Sequence, residues 1–326
     1  MRNFLCIAMV VLLFTSCNDD KKSKKRILSA SSGTLNNISV VVANELWDGE
    51  VGTTIREVLA APIYGLPQDE PIFTMAQIPP QVFSGFVTKN RTVLKIEVGS
   101  EKAEVKIANN VFAEPQKLVL VTGKNNKEII EQLTDNADKI VAAFKNEELK
   151  EKQRRINLSL HKDDVIKQKL GFSINFPTAY RIAKEENDVF WIRKDITTGT
   201  TNLMLYSIPE SAIKKNDSLI SQIIKIRDSI NKVFIPGPTD EAYMVTEDAY
   251  TPFLSETIID NKPTLETKGI WDMENAFMSG PFVNYMIEDK VNKRYVVLEG
   301  FAFAPSVAKR DYMFELEAII KSIKID

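Results

Sequence analysis

The sequence predicts an α+β fold of two domains, with largely antiparallel sheets packed against a few helices. Strand-like runs outnumber helical ones and sit in clusters instead of alternating with helices, the pattern of a segregated fold. Three stretches repeat apolar residues at spacings of three and four, the mark of helices with one buried face. At roughly 150 residues per domain, 326 residues divide into two units. A composition of 44% hydrophobic and 26% charged residues suits a globular core. Lys and Arg number 42 against 44 Asp and Glu, a net charge of −2 that excludes the usual basic nucleic-acid binder, so no nucleic-acid partner is expected.

Taken in order, residues 1–16 read as a signal peptide. Arg2 and Asn3 precede an apolar run over 4–14, and Thr15, Ser16 and Cys17 supply small residues at a cleavage point. Eleven apolar residues are too few to span a bilayer, which needs about 20. The run ending in Cys17 resembles the lipobox of bacterial lipoproteins, with Phe14 where Leu is commoner. That resemblance implies lipid attachment at Cys17 and a membrane partner reached through it. Residues 17–34, acidic at 19–20, basic over 21–26 and then rich in Ser and Gly, bury nothing and are expected to form a flexible tether. The acidic start resembles the surface-export signals of Bacteroidetes lipoproteins.

The first domain, 35–158, opens with an apolar β-branched run over 38–43, a buried strand. A helix follows through Ile55, Val58 and Leu59, with Thr53 or Thr54 as its N-cap. Pro62, Pro67 and Pro71 mark a turn-rich connection. Residues 91–98, 103–107 and 118–121 read as strands. Ile130, Leu133, Ala137, Ile140 and Phe144 define one helix face, and that helix continues, or is relayed by another, through the charged stretch 145–155. The second domain, 159–326, has strands over 172–176, 189–193 and 203–208. A helix follows through Leu219, Ile223, Ile226, Ile230 and Val233, then strands over 264–271, 282–288 and 294–303. A closing helix over 307–322 turns Met313, Leu316, Ile320 and Ile323 inward.

Catalytic chemistry has few carriers. Both cysteines, Cys6 and Cys17, lie at the N-terminus, so the folded part offers no thiol nucleophile and no Cys-ligated zinc. His161 is the single imidazole, and a solvated cap or surface role suits its polar surroundings. No phosphate-binding glycine loop, calcium loop or zincin motif is present, so no metal or cofactor is expected. Ser-x-x-Lys begins at Ser159, Ser211, Ser229 and Ser306, but its partner Lys-Thr-Gly is missing. The acidic pairs Asp163-Asp164 and Glu185-Glu186 would serve glycoside hydrolysis only if two carboxylates faced one another in space.

Two clusters suggest binding. Trp47, Asp48, Gly49 and Gly52 lie between a strand and a helix, where free N–H groups and the helix dipole converge on an anion; the alternative is a turn whose glycines only relax the backbone. Trp271 and Gly280, near 300–305, form the second cluster, and Trp47, Trp191 and Trp271 are either sugar-stacking platforms or core residues.

Together with the pieces 65–71, Asn90-Arg91, Gly280-Pro281-Phe282, 300–305 and 309–313, these clusters resemble the Bacteroidetes lipoprotein family called domain of unknown function 4837. The resemblance spans nearly all of the chain beyond Cys17 and implies an outer-membrane, lipid-anchored protein of the cell envelope. It supplies no catalytic residues. It adds Arg91, Lys309, Arg310 and Asp311 to the candidate binding residues. In outline the second half is also loosely similar to PsbP or Mog1-like α/β sandwiches, a likeness of fold alone. The expected function is therefore a non-enzymatic binding or assembly module with an envelope protein or glycan as partner. The alternative is an envelope polysaccharide or peptide hydrolase working with carboxylates only.

Overall fold

Ile38, Val40, Val41 and Val42 are all fully buried, as a strand covered on both faces requires. The computed structural model describes residues 27–326 apart from Asp163. The expected signal peptide, Cys17 and the first part of the tether lie outside the described residues. The first half runs β1 (Ser29–Ala30), β2 (Asn37–Val41), α1 (Asn44–Trp47), α2 (Glu50–Leu59), β3 (Thr74–Ile78), β4 (Thr92–Val98), β5 (Glu104–Asn109), β6 (Ala113–Glu114), β7 (Lys117–Gly123), α3 (Asn126–Asp135) and α4 (Ala137–Ile156). Its five-stranded sheet has the order β3-β2-β4-β7-β5. The parallel pairs β2–β3, β2–β4 and β4–β7 belong here, and only β5 joins antiparallel. Ile38, Val40, Leu94, Ile96, Val119 and Val121 bury one face against α2, α3 and α4. Val41, Val93 and Leu118 pack beneath Phe83 and Phe112 on the other.

The second half runs α5 (Val165–Leu170), β8 (Phe172–Ser173), β9 (Arg181–Glu186), β10 (Val189–Ile196), β11 (Gly199–Pro209), α6 (Leu219–Phe234), β12 (Tyr243–Thr246), β13 (Phe253–Ile259), β14 (Lys262–Glu274), β15 (Ser279–Asp289), β16 (Arg294–Phe303), α7 (Arg310–Ile320) and β17 (Lys324–Ile325). Eight of these strands form one sheet in the order β12-β14-β15-β16-β11-β10-β9, with β13 also on β14, and every pairing is antiparallel. Successive side chains leave opposite faces. Leu203 and Leu205 therefore meet Leu316, Ile319 and Ile320 of α7, while Met204 and Tyr206 meet Ile223 and Phe234 of α6. The chain is thus α+β with largely antiparallel sheets.

Helix α4 belongs to both halves. Ile140 and Phe144 fill the core of the small sheet, and Ile156 fills the core that α7 shares with the large one. Lys152 pairs with Glu315 of α7 at 2.5 Å, and the Gln153 side chain donates to the Ala318 carbonyl at 3.1 Å.

Several expectations are corrected. The helix through Ile55 starts at Glu50, not at a threonine cap. Thr53 and Thr54 lie inside it and donate to the Gly49 and Glu50 carbonyls. The stretch read as one helix from 126 breaks at Asn136, whose side chain donates to the Gln132 carbonyl and stops the first helix. Part of the tether is fixed as well. Ser29 and Ala30 pair in parallel with Ala113 and Glu114, and Ser32 N–H donates to the Lys89 carbonyl.

Candidate functional site

The pieces 65–71 and 309–313, far apart in sequence, meet in space. Glu70 accepts from the backbone N–H of Lys309 at 2.7 Å and of Arg310 at 2.8 Å. It thereby supplies the negative charge that the start of α7 attracts, a contact worth about 1 kcal/mol. The Arg310 guanidinium donates to the Pro71 carbonyl at 3.3 Å, and Asn36 Nδ2 donates to Asp311 at 3.0 Å. Arg310 also pairs with Asp311 at 2.9 Å. Gly65 sits at φ +83°, pressed against Lys268 and Gly269 of β14, where an added Cβ would stand 2.9 Å from the Lys268 Cβ. Its N–H donates to the Tyr250 hydroxyl oxygen at 3.2 Å.

This clasp borders a cavity of about 330 Å³ between the halves. The α2–β3 connection lines it with Ile63, Leu66, Ile72 and Phe73, and β15 and α7 add Phe282, Val283, Met313 and Phe314. Tyr64 and Phe253, one from each half and both exposed, stack face to face at 5.1 Å and also line it. The charged lining is Lys145, Lys268, Arg310 and Glu317. Glu317 pairs with Lys145 at 3.2 Å and with Lys321 at 2.5 Å. Burial opposes its charge, but Lys145, Lys321 and Lys268 prevail and hold the carboxyl far below the usual range. The Glu317 field in turn raises Lys145 against the effect of burial. Lys268 pairs with Glu266 at 3.1 Å, and Glu266 accepts from the Tyr285 hydroxyl at 2.5 Å. A largely apolar cavity with a few fixed polar groups is the form that small-ligand sites take, at roughly 300–1,000 Å³.

The cavity holds little for catalysis. Glu317 is its single lining carboxylate and stays ionised, so it has no proton to give as a general acid and no partner carboxylate across the space. Glu185 and Glu186 instead pair with Lys169 and Lys184 on the outer strand β9. No group of three or more His, Cys, Asp or Glu side chains suited to a metal exists among the described residues.

Most of the residues singled out from sequence hold the fold together. Arg91 is buried and bidentate on Glu148, at 2.9 Å for each contact, and also donates to the Gly33 and Thr34 carbonyls. No guanidinium is left for a ligand. Gly52 lets α2 approach α1, since a Cβ there would lie 1.9 Å from the Trp47 carbonyl oxygen. Arg56 covers the Trp47 ring at 4.7 Å. Asp48, with Glu45 and Glu50 on either side of Gly49, makes that turn acidic, which opposes anion binding. Gly280 clears the Ala302 carbonyl, to which the Trp271 indole donates at 3.2 Å. Trp271 is 1% exposed and edge-on to Phe301, Trp191 packs against the same core and donates to Asn202, and Trp47 packs against the core of the other half. Lys309 is buried with its amine on the Val307 carbonyl. His161 stacks on Phe176 at 4.7 Å. Of the candidates, Arg310 alone lines the cavity. Gly65, Leu66, Pro281, Phe282 and Met313, from the pieces 65–71, 280–282 and 309–313, also line it, whereas Ala61, Val141, Lys145 and Phe253 belong to no piece singled out from sequence.

Residues 159–322 match the model of a family described as Domain of unknown function (DUF4837), and residues 31–157 match one described as Domain of unknown function (DUF8532). No curated protein matches the chain. Among solved structures, the Ran-binding protein Mog1p of Saccharomyces cerevisiae is similar over 48% of this chain and 90% of its own, at 8% identity and a TM-score of 0.32. A similarity this slight leaves the fold to stand on its own strand order.

Proposed function

Because this chain belongs to the family described as Domain of unknown function (DUF4837), and because its halves enclose an apolar cavity, we propose a non-enzymatic binding protein of the cell envelope. Its ligand sits between the halves. Lipid on Cys17 holds it at the outer membrane of a Bacteroidetes-type cell, facing the periplasm or the surface. The observation that carries the binding reading is the cavity itself, walled by side chains such as Phe73, Phe282 and Phe314 and lacking the opposed carboxylates of a hydrolase. The anchor is supported by the apolar run that ends in Thr15-Ser16-Cys17. No helix among the described residues is long and apolar enough to cross a membrane. Two or three acyl chains, at roughly 0.8 kcal/mol per buried CH₂, would make the attachment nearly irreversible.

Labelled palmitate tests the anchor. Incorporation into the chain that Cys17→Ala abolishes is the expected result; incorporation that survives this change removes Cys17 from the account.

A further inference from the structure

We propose that the cavity takes a single-chain amphiphile with an anionic head, its chain against Phe73, Met313 and Phe314 and its head beside Lys145 and Lys268. The inference rests on the reading of the cavity as a ligand site and adds the chemistry of the ligand. Charge is the first argument. Around the space three lysines, Lys145, Lys268 and Lys321, meet two carboxylates, Glu317 and Glu266, while Arg310 is paired with Asp311, so an excess of one positive charge remains. Glu317 is shared between Lys145 and Lys321, which leaves neither lysine fully neutralised. Low-dielectric walls strengthen the pull of such an excess on an anion.

The second argument is where the charges lie. Lys268 stands directly opposite Phe253 in the β13–β14 ladder, and so beside the stacked, exposed rings of Tyr64 and Phe253. Lys145 and Lys268 keep 37% and 21% of their side-chain surface in contact with solvent. A head bound there stays partly hydrated while the rest of the molecule enters the apolar space. Along α7, Met313 and Phe314 occupy the turns between Glu317 and Arg310, which are about 10 Å apart on the helix axis. That stretch offers dispersion and water exclusion with no hydrogen-bonding group of its own, which suits an alkyl chain.

Calorimetry with the full chain carrying Cys17→Ala, which removes the proposed lipid attachment, tests the proposal with four soluble probes: octanoate, octyl phosphate, octanol and octyltrimethylammonium. Both anions should bind about tenfold more tightly than octanol, and the cation more weakly still. Lys268→Gln should cost the anions about fivefold and leave octanol unchanged, and Val141→Trp, which fills the cavity, should abolish binding of every probe. Near-ultraviolet circular dichroism identifies any variant that has not folded, and Ala61→Phe on the same wall then replaces Val141→Trp. Octanol or the cation binding as tightly as the anions overturns the anionic head while the cavity reading stands. Anion binding unchanged in both variants overturns the proposed place. Failure of all four probes overturns the cavity reading together with this inference.

Discussion

Arg91 and Glu148 form an ion pair in which neither side chain reaches solvent, with exposures of 2% and 0%. Asn36 N–H and Arg91 both donate to the Glu148 carboxylate, and Arg91 also grips the carbonyls that precede Asn36. Removing one member of a buried pair strands the other, so Arg91→Ala should cost about 3–5 kcal/mol in chemical denaturation. A loss under about 1 kcal/mol would show that water reaches the pair. Carboxylates held by nearby lysines and arginines make stability depend on acid. The Glu151 carboxyl is lowered to about 2 by hydrogen bonds from Arg154 and, beyond the opposing effect of burial, Arg155. Glu315 is lowered by Lys152 and Lys194 against burial, and Glu317 by its lysines. A carboxyl depressed in the folded state stabilises it above the unfolded pKa of about 4.3, and that stability is lost as pH falls toward the folded value. The melting temperature should therefore hold from pH 7 to about 5, fall between about pH 4.5 and 2, and fall less steeply in Glu317→Gln. A melting temperature that is flat across that acid range would contradict the assignment. Sequence flagged Arg91 as a binding residue because an arginine beside a motif carries no mark of its partner. Glu148 lies 57 residues away, and only the fold brings the two together.

Among the elements, buried strands were the most legible. The run at 38–43 is continuous and apolar because β2 lies inside a sheet covered on both faces, and the face of α7 was readable from its spacing. Edge strands were not. β3 has no fully buried residue, and β9 presents mostly charged side chains, so neither shows an alternation. Their hairpins left subtler signals: Asn187-Asp188 joins β9 to β10, and Asp260-Asn261 joins β13 to β14, with positive φ at every position. Paired positive φ values define the tight hairpin turn that such residues favour. Two elements give direct tests. Gly52→Ala should cost about 1–3 kcal/mol, because the Trp47 backbone must move; a neutral change would mean that α1 yields freely. Glu70→Ala should cost about 0.5–2 kcal/mol by uncapping α7, with faster amide exchange at Lys309 and Arg310; unchanged exchange there would contradict the cap.

At the scale of the whole molecule, α4 and α7 tie the halves together. Ile156 and Lys152 of α4 serve the second half while Phe144 serves the first, so we propose that the units 35–158 and 159–326 unfold together. A single calorimetric transition is expected, whereas two separated transitions would mean that the halves are independent. The cavity was illegible from sequence for the same reason. Part of its wall comes from Ala61, Val141, Phe253 and Phe314, residues whose types mark nothing beyond a core until the halves meet. Whether a ligand occupies that space is best settled by native mass spectrometry of the chain released from its own envelope in mild detergent. A noncovalent adduct of small-molecule mass on the wild type that disappears in Val141→Trp is the predicted result. An adduct that the variant keeps, or a wild type that carries none, would contradict a ligand held between the halves.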